Sequence, residues 1–246
     1  MERIAILVPV YKSDLTPLEK YSLDYSLSAL VGREIIFIGP KNLDRSYYSK
    51  HYAAIPFQSF SAPSFESIPE YNRLLLNPEF YGRFFDYEFL LILQTDAIVL
   101  RDELDFWCAQ PFDYVGAPWP IAYELFVNLG LFEGGYGKRV RVGVGNGGLS
   151  LRRVRKCVSL LKEFDVAISV FDRTGSSEDL FFSVMGSLSR DFIVPNEITA
   201  SRFSLELMPS YYYHVNGGQL PMGGHAWWNN EPEFWKTLLP VAPPLL

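Results

Sequence analysis

EFLLILQTDA, residues 88–97, is the stretch on which the fold turns. Phe89 to Leu93 are apolar without a break, and the run stops at Gln94-Thr95-Asp96-Ala97. A strand wet on one side alternates apolar and polar residues. A strand apolar throughout is covered on both faces, as in a parallel sheet flanked by helices. Open α/β sheets bind ligands outside the carboxyl ends of their strands, so Asp96 falls at the mouth of such a site. A carboxylate half removed from water needs a cation, and a divalent metal holding a diphosphate is one that fits. The plainer alternative is an Asp that caps the following turn.

Neighbouring segments extend the same pattern. RIAILVPV (3–10) is a second apolar run. Over 16–30, Leu18, Tyr21, Tyr25 and Ala29 recur at helical spacing, which places them on one face. Thr16, Pro17 and Glu19 compose a helix start of capping-box type, and Gly32 ends the helix. EIIFI (34–38) is the next strand, closed by Gly39-Pro40. Strand, helix, strand predicts a right-handed parallel crossover. Further on, the pattern predicts a short strand near 57–60, a helix from about Pro69 and another over 78–85. Ile98 to Leu100 read as extended, and Asp102 as the cap of a short helix to Cys108. DYVGAPWP (113–120) reads as a strand running into a proline-locked turn. Residues 121–145, with Gly134-Gly135-Tyr136-Gly137, read as a loop, and NGGLSL (146–151) as the approach to a helix over 152–164. Ser177 starts a helix with Glu178 and Asp179 in its first turn, and a last short helix covers 233–238.

A chain of 246 residues, 48% of them hydrophobic, can bury a sizeable core as one domain without disulfides. Cys108 and Cys157 match no metal or redox spacing and read as buried thiols of a reducing compartment. A net charge of -6 argues against sequence-independent nucleic-acid binding. The opening MERIAILVPVYKSD is too short and too proline-broken for a signal peptide, and no stretch reaches the length of a membrane span. The expectation is therefore a cytoplasmic protein. Clusters such as Tyr211 to Tyr213 and Trp227-Trp228 suit the faces of sugars and nucleobases, or else fill the core.

Three further elements carry chemistry. Glu178-Asp179 either stabilises its helix start, worth about 0.3–1 kcal/mol, or supplies a general base for an acceptor hydroxyl. The adjacent glycines of Asn146-Gly147-Gly148 either let backbone approach a ligand closely or make a simple turn. His225, between Gly224 and Ala226-Trp227-Trp228, is either a metal ligand or a hydrogen-bonded loop histidine.

Taken in order, YNRLLLNPEFYGRF (71–84), the strand ending QTDA, DYVGAPWP, VGNGGLSLRR (144–153), SEDLFF (177–182) and PMGGHAWW (221–228) resemble the glycosyltransferases of the GT-A fold. More narrowly, they resemble a bacterial and fungal family of formally unknown function placed among them. The resemblance spans roughly residues 3–230. It implies an α/β fold: a single GT-A-like (Rossmann-like) domain with a mostly parallel sheet flanked by helices. Residues 1–100, roughly, are then the donor-nucleotide half, about 101–230 the acceptor half, and 231–246 a tail. It implies an enzyme that moves a sugar from a nucleotide-diphosphate sugar to a glycan or glycolipid hydroxyl, in surface polysaccharide or glycolipid assembly.

Position by position, the resemblance assigns the donor to Pro9, Val10 and Tyr11, to Asn72 and Arg73, and to Gln94, Thr95 and Asp96. Asp96 matches the last acid of the family's Asp-x-Asp, which binds Mn or Mg on the diphosphate. His225 matches a late histidine that completes that metal site. Gln94 stands where the first Asp would be, a departure that weakens the expected metal site; it offers a neutral oxygen or a contact to the ribose or sugar. The acceptor side is assigned to Trp119, Asn146, Gly147, Gly148 and Glu178, and Asp179 is the base of an inverting attack. Many relatives follow strand two with an acidic motif; Gly39-Pro40-Lys41-Asn42 stands there instead, so the nucleobase is not legible.

Lys138, Arg139 and Arg141 precede the glycine pair, and Arg152, Arg153, Arg155 and Lys156 follow it. Such a basic island suits a diphosphate, or peripheral contact with an anionic inner-membrane surface; a solvated helix face is the alternative. Two rival functions remain. One is a non-catalytic carbohydrate- or nucleotide-binding module on the same fold, favoured by the missing first Asp. The other, nucleotidyl transfer to a sugar phosphate, wants a glycine-rich basic loop after strand one, which VPVYKSD lacks.

Overall fold

The computed structural model of the chain describes residues 3–127 and 138–239. β1 (Ile4–Pro9), α1 (Pro17–Ala29) and β2 (Glu34–Pro40) open it as the expected parallel unit. α2 (Ser46–His51) leads to β3 (Phe57–Phe60), which lies parallel beside β2. α3 (Ile68–Leu75) and α4 (Pro78–Gly82) precede β4 (Phe89–Leu93), parallel to β1 on its other side. β5 (Ala97–Val99), α5 (Leu104–Cys108), β6 (Tyr114–Val127) and β7 (Lys138–Arg153) follow. Then come α6 (Val154–Glu163), α7 (Asp165–Thr174), α8 (Glu178–Leu188), α9 (Glu197–Phe203) and β8 (Ser204–Leu205). α10 (Pro209–Val215), β9 (Gly223–His225) and α11 (Pro232–Leu238) complete the described chain.

The main sheet has the order β3-β2-β1-β4-β7-β6. Only β7 is reversed in it, antiparallel to both β4 and β6. The architecture is thus the expected mixed α/β one, a mostly parallel sheet between helices. Both faces are covered: Leu7 and Ile92 pack into one core cluster, Ile6 and Leu91 into another. That is why β1 and β4 are apolar at every position, each such side chain worth roughly 1.5–3 kcal/mol on burial. A second sheet, β5-β9-β8, grows from the chain just past Asp96.

The capping box of α1 forms as read: Glu19 N donates to Thr16 Oγ1 at 3.2 Å, and Thr16 N to Glu19 Oε2 at 2.8 Å. The buried stripe of α1 differs from the expected one. Leu18, Tyr21 and Tyr25 are half-buried against the cluster around Trp227, while Glu19, Ser22, Leu23 and Ser26 are fully buried. The polar members are tolerated because they are satisfied. Trp227 Nε1 donates to Ser22 Oγ at 2.8 Å, and Val99 N to Ser26 Oγ at 2.9 Å.

Residues 121–127 and 138–145 are not a loop. They are the arms of a long antiparallel ribbon, in register from Tyr123↔Val142 to Val127↔Lys138. Val140, Val142 and Val144 turn inward at every second position, while Arg139 and Arg141 are exposed. The Gly134–Gly137 stretch lies outside the described residues. β6 also runs past its proline pair, with register shifts between Val115 and Tyr123 where the turn was expected. NGGLSL is strand, not loop. Arg152 and Arg153 complete β7 opposite Leu90 and Phe89, so the helix begins at Val154. Among the described residues no helix is long and apolar enough to cross a membrane.

Candidate active site

A cleft of about 710 Å³ opens at the carboxyl ends of β1 and β4. Of the residues assigned from sequence, it is lined by Pro9, Tyr11, Asn72, Gln94, Thr95 and Asp96. Asn146, Gly147, Gly148, Glu178, Asp179 and His225 line it as well.

The second sheet explains how Asp96 and His225 meet. Ala97 on β5 pairs with His225 on β9, which brings Asp96 Oδ1 within 3.1 Å of His225 Nε2. His225 Nδ1 lies 2.9 Å from Glu206 Oε2. Burial disfavours a charged ring, but the hydrogen bonds and charges of Asp96 and Glu206 outweigh it and raise His225 to about 10. Burial likewise opposes ionisation of Asp96, and His225 overcomes it, holding the carboxyl below its ordinary value. Gly148 makes room for the ring: a Cβ there would sit 2.2 Å from His225 Nε2. Ala226 adopts φ 47°, a left-handed turn that carries its N–H to Asp96 O at 3.0 Å. Such backbone is costly away from glycine and concentrates at functional sites.

The donor set fits a divalent ion in part. Among the described residues no three His, Cys, Asp or Glu side chains cluster as a complete metal site. Asp96 offers an oxygen and His225, once an incoming ion displaces its Nε2 proton, a nitrogen beside it; Glu206 orients the ring from behind, as carboxylates behind metal-bound histidines do. An ion held by so few side chains takes its remaining ligands from phosphate oxygens and water. The charge balance favours this. Glu19, Glu66, Asp96, Glu178, Asp179 and Glu206 line the cleft, against Lys12 and His225. A diphosphate entering unaccompanied would meet net repulsion.

Glu178 and Asp179 begin α8 and differ in environment. Glu178 is buried, its Oε1 2.9 Å from Nη2 of Arg152, which has no exposed side-chain surface. Arg152 also donates to Tyr81 Oη and Ser150 Oγ, each at 3.0 Å. Asp179 is half-buried and has no cation partner among the described ion pairs; its Oδ2 accepts from Gly147 N at 3.3 Å. Burial, then the charge of Glu178, push Asp179 up to about 6. A carboxylate of that pKa is a competent base near neutral pH.

Three assigned residues are elsewhere. Arg73 faces outward on α3 and pairs with Glu70 and with Asp172 of α7, so it is no donor ligand. Helical geometry turns Tyr71 and Asn72 to the cleft instead. Val10 is buried in the core. Trp119 is buried, its Nε1 donating to Asn146 Oδ1 at 2.6 Å, so it props the cleft wall from behind. The basic island also breaks up. Arg152 is in the interior, Arg153 pairs with Glu88 and Asp113, and Lys156 pairs with Asp191. Of the aromatic clusters, Trp227 and Tyr212 are core and Trp228 lines the cleft.

Residues missed from sequence include Lys12, Glu19, Glu206 and Tyr71. Lys12 Nζ donates to Glu19 Oε1 at 2.8 Å, and that bond raises its pKa above the ordinary value. Lys12 follows directly on the assigned Tyr11, a signal that was available. Glu206 carries no signal, because only the β8–β9 pairing brings it to His225.

The sequence profile of a protein family of unknown function, DUF5672, matches residues 54–225. The chain belongs to the DUF5672 family. No curated protein matches it in sequence. In fold, this DUF5672 member is similar to LgtC, a galactosyltransferase crystallised with donor and acceptor sugar analogs. The TM-score is 0.56 at 16% identity, covering 97% of each chain. Mouse xyloside xylosyltransferase 1 gives 0.55 at 13% identity, covering 93% of this chain and 99% of that one. The glycosyltransferase GlyE of Streptococcus pneumoniae TIGR4 gives 0.55 at 13%, covering 98% of this chain, which spans only 61% of that chain's length. At these identities the likeness is one of fold, and the fold is that of GT-A glycosyltransferases.

Proposed function

We propose that the protein is a nucleotide-sugar-dependent glycosyltransferase acting on a glycan or glycolipid hydroxyl. One observation carries the reading: Asp96, His225 and Asp179, remote in sequence, line a single cleft at the carboxyl end of a GT-A-like sheet. Sugar transfer needs positive charge where the diphosphate leaves and a base where the hydroxyl attacks. Asp96 and His225 would hold a divalent ion, Mn or Mg, which supplies the first by neutralising the leaving diphosphate. Lys12 adds a cation on the same wall. Asp179, in the same cleft, takes the proton of the attacking hydroxyl as the bond from the anomeric carbon to the diphosphate breaks. Attack opposite the leaving group inverts the anomeric configuration. Pro9 and Tyr11, at the end of β1, lie where the donor nucleoside would rest.

The reading extends to assembly of a surface polysaccharide or glycolipid on the cytoplasmic side, with peripheral contact at the inner membrane through exposed Arg139, Arg141 and Phe126.

The test is incubation with Mn and a panel of nucleotide sugars, with and without glycan acceptors, while nucleoside diphosphate is monitored. Release is expected with one donor class. Binding without any release, with or without acceptor, would make this a carbohydrate- or nucleotide-binding module. A product that retains the donor's configuration would remove Asp179 as the base.

A further inference from the structure

Among the described residues, three buried side-chain atoms that make no well-formed hydrogen bond belong to residues lining this cleft: Tyr71 Oη, which has only the Gln94 side chain beside it, Asn146 Nδ2 and Glu178 Oε2. Buried polar atoms are normally paired, and an unpaired one destabilises the fold. Two of the three are held unpaired by their own other end. Trp119 Nε1 can only donate, so its 2.6 Å contact identifies Asn146 Oδ1 and leaves Nδ2 as the free end. Arg152 takes Glu178 Oε1 at 2.9 Å and leaves Oε2 free. Tyr81 and Ser150 pin Arg152 in turn, each at 3.0 Å, so the pair does not swing away. Burial raises the Tyr71 phenol above its ordinary pKa, so it remains an O–H that donates and accepts.

We propose that Tyr71 Oη, Asn146 Nδ2 and Glu178 Oε2 form the subsite for the hydroxyl groups of the transferred sugar, with Tyr71 as a specificity determinant. This rests on the glycosyltransferase reading of the cleft. A carboxylate oxygen accepts, an amide nitrogen donates and a phenol does both; a sugar hydroxyl also does both. The set therefore fits a neutral sugar with at least two free hydroxyls. It rejects a uronic acid, whose carboxylate would face Glu178. It also rejects a sugar deoxygenated at these positions, which would leave the three atoms orphaned. Asn146 and Glu178 thereby move from the acceptor side to the donor sugar.

The test is a set of thermal melts with Mn, comparing UDP with UDP-glucose and GDP with GDP-mannose. Tyr71→Phe removes one unpaired oxygen. The free variant is expected to melt at or above the wild-type temperature. The shift given by the diphosphate stays unchanged, and the extra shift given by the attached sugar is lost. Asn146→Asp keeps an oxygen for Trp119 and turns the free donor into an acceptor; it loses the same increment. A Tyr71→Phe protein that melts below wild type, or that keeps the sugar increment, overturns the subsite and leaves the transferase reading intact. So does a wild-type protein stabilised equally by diphosphate and sugar nucleotide. A wild-type protein that none of the four nucleotides stabilises overturns both.

Discussion

Two hollows of nearly equal size open at opposite ends of the main sheet. The cleft at the carboxyl ends of β1 and β4 measures about 710 Å³, and a groove at their amino ends, lined by Arg3, Glu88 and Arg153, about 770 Å³. The groove is electrically quiet. Arg153 pairs with Glu88 and Asp113, Lys156 with Asp191, and Arg155 lies over the Phe85 ring. The cleft is the reverse: carboxylates outnumber cations, one of them is raised toward neutrality, and three buried polar atoms make no well-formed hydrogen bond. Volume does not separate the two; unmet electrostatic demand does.

The contrast breaks most sharply at Asp179. Asp179→Asn should lower sugar transfer by roughly 10²–10⁴-fold while donor binding persists. Wild-type transfer should rise with pH through about 6 and then level, and the variant should lack that limb. Stability runs the other way. The folded carboxyl holds its proton to about 6, above its ordinary 3.8. The folded state therefore binds more protons in that window, and stability falls as pH rises through it. Above the window Asp179→Asn should melt higher, by an amount equivalent to about 1–2 kcal/mol. A variant less stable than wild type at neutral pH would put Asp179 among the structural acids, like those of the groove.

Next in size is the pair at the end of β4. Asp96→Ala or His225→Ala should cost roughly 10–100-fold in transfer and in manganese-dependent donor binding. Arg155→Ala or Lys156→Ala in the groove should change neither by more than about twofold. Equal losses in both hollows would erase the distinction.

The smallest effect sharpens it. A Cβ on Gly148 would collide with His225, whereas one on Gly82 meets nothing within 4 Å. Gly148→Ala should therefore lose about tenfold in activity, short of the loss from removing a ligand. Gly82→Ala should leave turnover at the wild-type level. Enzyme assays on folded, circular-dichroism-matched proteins decide this.

What was legible in the sequence follows from range. The apolar runs of β1, β2 and β4, the capping box of α1 and the acids opening α8 are local patterns, and each formed where expected. β7 reads as loop and turn in the sequence because its glycines mimic a turn. They are there to admit the Trp119 ring beside Gly145 and His225 beside Gly148, contacts that no local spacing reveals. Arg73 lies one helical step away: Tyr71 and Asn72 face the cleft, and it does not. The Arg152–Glu178 pair stayed hidden because a run of arginines reads as surface until the strand's alternation buries one of them.

Glu19 divides its two oxygens between separate tasks. Oε2 takes the Thr16 N–H that closes the first turn of α1, and Oε1 takes Lys12 and Thr95 in the cleft wall. Helix ends are where fraying on warming begins. Here the first turn of α1 and the position of the cleft's lysine depend on one carboxylate, so fraying of that helix terminus should free Lys12 before the sheet beneath it melts.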